Sequence, residues 1–115
     1  MQDSSKEIRR RYMHLLSEKK LFFLDKNYSI IEFAADLGTN RSYASRFVNI
    51  ELGITFPNLL NSLRLAHFMR LKDENPKKSI KYLADYCGFN CTLSFRRAFI
   101  KEYGMTPSEY FKKKI

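Results

Sequence analysis

Ser29-Ile30-Ile31-Glu32-Phe33-Ala34-Ala35-Asp36-Leu37-Gly38 and Ser79-Ile80-Lys81-Tyr82-Leu83-Ala84-Asp85-Tyr86-Cys87-Gly88 are two versions of one pattern, fifty residues apart. Ser29, Ile30, Ala34 and Gly38 recur as Ser79, Ile80, Ala84 and Gly88. Beyond the glycine the offset becomes 51, and Arg46, Glu51, Gly53 and Thr55 recur as Arg97, Glu102, Gly104 and Thr106, so the second turn holds one extra residue. Apolar positions follow the same rule: Phe33 with Leu83, Ala44 with Phe95, Val48 with Phe99 and Leu59 with Tyr110. Each copy reads as a capped short helix, a glycine turn, a second helix, a glycine stop and a capped third helix.

A short helix, a tight glycine-containing turn and a second helix make the helix-turn-helix plan, whose second helix enters the major groove of DNA. Structural αα-corners share the plan, but two copies with basic outer faces are seldom accidental. In the first copy the spacing buries Tyr43, Ala44, Phe47 and Val48 and leaves Arg41, Ser42, Ser45, Arg46 and Asn49 on the opposite stripe. In the second it buries Phe95, Ala98 and Phe99 and exposes Thr92, Leu93, Arg96, Arg97 and Ile100. Arginine reads guanine, asparagine suits adenine, serine can bond either a base edge or a phosphate, and Leu93 with the Thr92 methyl suits thymine methyl groups. A phosphate contact is the alternative for each arginine, and an ordinary solvated face is the alternative for each stripe.

Working outward, Ser4 and Glu7 have capping-box spacing, and Ile8, Tyr12, Leu15 and Leu16 share one face of a helix expected to reach about Lys20. Ser29 with Glu32 caps the next helix and Asn40 the one after, expected from Arg41 to about Leu52. Thr55 and Pro57 open a longer helix to about Lys72, stopped at Asn75-Pro76, with the stretch from Arg64 to Met69 as its exposed middle. Ser79 starts Ile80 to Cys87, another helix runs Thr92 to Tyr103, and Thr106-Pro107-Ser108-Glu109 caps a last one. Nothing alternates as a strand does, so the chain is expected to be all-α with about seven helices. The expected division is a first helix with the first module over 1–57, a linker helix over 58–75 and the second module over 76–115.

Charge points the same way. The net charge of +9 comes from seven basic against four acidic residues in 1–28, five against five in 29–75 and nine against three in 76–115. A polyanion is the natural partner, and an anionic membrane would also attract such a chain. No long apolar run or signal-peptide core is present, which leads to the expectation of a cytoplasmic protein. Cys87 and Cys91 fit neither a disulfide framework nor a zinc half-site and read as free thiols. His14 and His67 stand alone, and no metalloprotease motif, phosphate-cradling loop or close carboxylate pair occurs. No enzyme activity, cofactor or metal is expected.

The run Leu37-Gly38-Thr39-Asn40-Arg41-Ser42-Tyr43-Ala44-Ser45-Arg46-Phe47, with Gly88-Phe89-Asn90, Phe95-Arg96-Arg97-Ala98-Phe99 and Gly104-Met105-Thr106-Pro107-Ser108-Glu109-Tyr110, resembles the DNA-binding domain of AraC/XylS-type bacterial transcription regulators over residues 8–113. The resemblance implies two helix-turn-helix modules joined by a long linker helix, about Asn58 to Lys72, with their second helices in successive major-groove segments. It places the family's contact positions on Arg41, Ser42, Ser45 and Arg46, and on Thr92, Leu93, Ser94, Arg96 and Arg97. It implies double-stranded DNA as partner, RNA polymerase where the effect is activation, and a sensor or dimerisation region in a longer chain. The abrupt polar start favours a fragment of such a chain over a stand-alone regulator. Two positions depart from the pattern: Cys91 replaces a capping serine, leaving Asn90 to cap, and Ala44 replaces a larger leucine. The rival reading is a basic helical bundle that binds an anionic membrane surface or a protein partner.

Overall fold

The computed structural model describes residues 5–18 and 21–113. Among the described residues seven α-helices follow one another: α1 (Ser5–Ser17), α2 (Ile30–Asp36), α3 (Arg41–Arg46), α4 (Phe56–Glu74), α5 (Ile80–Tyr86), α6 (Thr92–Tyr103) and α7 (Pro107–Lys113). A 3₁₀ turn spans Phe22–Leu24 and a π-helical turn spans Phe47–Glu51. No strand occurs among the described residues. The fold is therefore all-α, with two helix-turn-helix modules and a long helix between them. Contacts divide it into two compact units, Met1–Leu59 and Leu60–Ile115.

The capping side chains fix the helix starts. Ser29 Oγ accepts from the Glu32 amide while the Ser29 amide donates to Glu32 Oε1, a complete capping box. Thr106 and Glu109 form the same box at α7. Asn40 Oδ1 accepts from the Tyr43 amide at 2.9 Å, Ser79 Oγ from the Tyr82 amide at 3.0 Å, and Thr55 Oγ1 from the Asn58 amide at 3.2 Å. Gly38 (φ 66°) and Gly88 (φ 95°) make the turns inside the modules, in a backbone region that costs other residues strain.

Aromatic rings fill both cores. In the first unit Phe33 is fully buried, and its ring lies 6.0 Å from Tyr12, 6.1 Å from Phe22 and 5.3 Å from Phe56. In the second unit Phe99 is fully buried among Phe68, Phe95, Tyr103, Tyr110 and Phe111, at 4.7–6.4 Å between centroids.

Several local expectations need correction. The Ser4 half of the first capping box lies outside the described residues; Glu7 pairs with Arg10 and Arg11. The first helix ends at Ser17, short of Lys20. The helix expected from Arg41 to Leu52 is α-helical only to Arg46. Past that point the Leu52 amide donates to the Phe47 carbonyl, an i→i+5 bond that widens the turn. The expected exposed middle of α4 is not exposed: Arg64, Leu65, His67 and Phe68 are all buried. Phe56 packs in the first unit's ring cluster and Phe68 in the second's, so α4 serves two cores and shows no single apolar stripe.

His67 is a packing residue. Arg70 Nη2 lies 2.6 Å from His67 Nδ1, and because a guanidinium can only donate, the imidazole nitrogen accepts. Burial first, and then the Arg70 charge, hold this histidine's pKa below its ordinary value, which keeps the ring neutral.

Candidate nucleic-acid interface

In the first module the buried face of α3 and the π turn is Ala44, Phe47 and Val48. Tyr43, expected there too, is only half-buried. On the opposite side Arg41, Ser42, Arg46 and Asn49 are exposed and Ser45 is half-buried. The small Ala44 is completely buried beneath this helix.

Two features of this module were not visible in the sequence. Arg11 Nη1 of α1 lies 3.3 Å from both the Leu37 and the Gly38 carbonyl oxygens, and it satisfies acceptors that the end of α2 leaves open. Arg9 pairs with Glu51 at the end of the π turn. The first helix thus grips both the turn and the far end of the second helix. Ile50, 70% exposed, follows Asn49 on the outside.

In the second module α6 buries Phe95, Ala98 and Phe99, and Thr92, Leu93, Ser94, Arg96, Arg97 and Ile100 are exposed. Its cap is Cys91, not Asn90: the Ser94 amide donates to Cys91 Sγ at 3.5 Å, and the Ser94 hydroxyl lies 3.2 Å from the same sulfur. The extra residue of the second turn puts Cys91 at the position Asn40 holds in the first, so the thiol inherits the capping geometry. Hydrogen bonding from the Ser94 hydroxyl, then from its amide, with the Arg97 charge nearby, lowers the Cys91 pKa. Burial pushes the Cys87 thiol up to about 12. Iodoacetamide at neutral pH is accordingly expected to label Cys91 and to spare Cys87 until the chain is unfolded, as read by peptide mass spectrometry. Equal labelling of both in the folded protein would contradict this packing.

Apart from Arg64 and Arg70 on α4, the arginines separate into two groups. Arg9, Arg10 and Arg11 on α1 are all paired with Glu7 or Glu51. Arg41, Arg46, Arg96 and Arg97 on the two second helices make no ion pair among the described residues. Four guanidiniums without counter-charges, displayed with serine, threonine and asparagine, suit a ligand that brings its own negative charge and base-edge acceptors. No group of His, Cys, Asp and Glu suited to a metal ion occurs among the described residues, and no described helix is long and apolar enough to cross a membrane.

Two repeated modules of this build define the class: a tandem helix-turn-helix domain. The profile of the family described as a helix-turn-helix domain matches residues 33–113, and the chain belongs to that family, in its AraC type. It is 28% identical over 81 residues to the Msm operon regulatory protein of Streptococcus mutans serotype c, a match covering 70% of this chain and 29% of that protein's length. Among solved structures, the C-terminal domain of AraT, a response regulator from Geobacillus stearothermophilus, superposes with a TM-score of 0.73 at 25% identity, covering 93% of this chain and 84% of that one. A DNA-binding transcriptional dual regulator from Escherichia coli K-12 gives a TM-score of 0.66 at 21% identity, covering 98% of this chain and 94% of that one, and supports the fold alone.

Proposed function

We propose that this domain binds double-stranded DNA sequence-specifically and is the DNA-reading part of a bacterial transcription regulator. The observation that carries the reading is the pair of equivalent helices, α3 with its π turn and α6, each displaying on its outer stripe arginines that make no ion pair among the described residues. Each of these helices lies in one major-groove segment, the two segments being successive. Arg41, Ser42, Ser45, Arg46 and Asn49 contact one half of the site, and Thr92, Leu93, Ser94, Arg96 and Arg97 the other. Residues 1–57 and 76–115 act as the reading modules and 58–75 as the linker between them. Where the outcome is activation, RNA polymerase is the further partner. A sensor or dimerisation region belongs to the rest of a longer protein, as the length of the Streptococcus relative suggests.

Selection of bound sequences from a random duplex pool tests the reading, with liposome co-sedimentation beside it. A defined asymmetric consensus supports it. No enrichment, together with sedimentation on anionic vesicles, would favour a membrane-surface role instead.

Arg46 and Arg97 occupy equivalent positions in the repeat and are both exposed. Replacing either by alanine is expected to cost about 1–3 kcal/mol on the selected site and to relax preference in one half of it only. Gel-shift titration on duplexes mutated in each half measures this. A loss that is equal on selected and random DNA would assign that arginine to phosphate contact.

A further inference from the structure

On the outer stripe the two second helices differ at four equivalent places, Arg41/Thr92, Ser42/Leu93, Ser45/Arg96 and Asn49/Ile100, and at two of these a polar residue of the first helix gives way to an aliphatic one in the second. The offset of 51 aligns Leu93 with Ser42 and Ile100 with Asn49, and all four side chains are exposed. Leu93 is 52% and Ile100 38% exposed. Neither is needed by the core, since Phe95, Ala98 and Phe99 already fill the inner face of α6. Seven residues apart, they point the same way and lie about 10.5 Å apart along the helix. That is about three base pairs at about 3.4 Å each.

The only aliphatic group that a base pair offers in the major groove is the 5-methyl of thymine. Serine and asparagine, in contrast, match the hydrogen-bonding edges. We propose that Leu93 and Ile100 are specificity-determining residues for thymine: each packs on the methyl of one thymine in the second half-site, the two thymines lying about three base pairs apart. Arg96 and Arg97 contact the DNA between them. The first module, with Ser42 and Asn49, carries no such methyl requirement at the matching positions. This inference rests on the reading of α6 as a helix that enters the major groove.

Deoxyuridine tests it, because it pairs as thymidine does and lacks only the methyl. Starting from the selected duplex, each thymine is replaced singly by deoxyuridine and affinity is measured by fluorescence anisotropy. A buried methyl-sized group is worth about 0.8 kcal/mol, or about fourfold in affinity. Two positions in the second half-site, about three base pairs apart, should each lose about that much. Leu93→Ser should abolish the discrimination at one of them and Ile100→Asn at the other. Both variants are at exposed sites, so circular dichroism should match the parent chain. Equal affinity for thymine and uracil throughout the second half-site, or a second half-site without thymine, overturns the proposal while a selected consensus still upholds DNA reading. Failure to select any consensus overturns both.

Discussion

Replacing Phe99 by alanine is expected to remove about 3–5 kcal/mol of stability. The ring is fully buried, and it meets aromatic rings from α4, α6 and α7: Phe68 at 6.4 Å, Tyr103 at 4.7 Å, Tyr110 at 5.6 Å and Phe111 at 6.0 Å. Truncation leaves a cavity that rings on three separate helices cannot close by small shifts. Whole domains have about 5–15 kcal/mol of stability, and small compact units sit at the low end. The second unit should therefore be largely unfolded at 37 °C, seen as lost helical signal and a lower urea midpoint. Phe99→Leu, which keeps most of the volume, should cost much less. If alanine costs under about 1 kcal/mol, the ring cluster is not what holds this unit together.

A second large effect is expected from lengthening α4. Two alanines inserted between Leu59 and Leu60, where one unit gives way to the other, leave each unit's own residues in register. They add about 3 Å and rotate the residues beyond the insertion by about 200°. Under the proposed function the two reading helices address successive groove segments, about 34 Å apart. Helix α4, nineteen residues and about 28 Å long, is suited to set that spacing and to keep the second module at high effective concentration once the first is bound. The insertion should leave helix content close to the parent's and cut affinity for the full site at least about a hundredfold, toward that of a single module. Unchanged affinity would mean that α4 is not a rigid spacer or that one module suffices. An insertion between Arg64 and Met69 would be a poor test, because Leu65, His67 and Phe68 are core residues there and the second unit itself would suffer.

Much of this architecture was legible because each helix start is a local event. Ser29, Asn40, Ser79 and Thr106 cap the next helix through atoms within three residues, and the sequence spacing alone announces them. The exposed stripes were legible for a similar reason: Ala44, Val48, Phe95 and Phe99 define a buried face, and Arg46, Arg96 and Arg97 lie opposite it. What stayed hidden depends on partners distant in sequence or on unusual chemistry. No periodicity marks the three-residue 3₁₀ turn at Phe22–Leu24 or the π turn held by Arg9 through Glu51. A thiol is a weak acceptor, so Asn90 looked the better cap than Cys91 until the turn geometry showed which residue precedes α6. Arg64 and His67 read as solvent-facing, yet both are buried because α4 contributes side chains to two cores.

The central claim is that this surface discriminates one DNA sequence from others, and one measurement bears on it most directly. Affinity for the selected duplex is compared with that for a scrambled duplex of equal length and composition across a salt series. With about five to eight phosphates neutralised, log K for both should fall against log salt with a slope of roughly −4 to −7. At near-physiological salt the selected duplex should remain tighter by about 10³ or more. Equal affinity for the two duplexes at every salt concentration, or a slope near zero, would contradict the account.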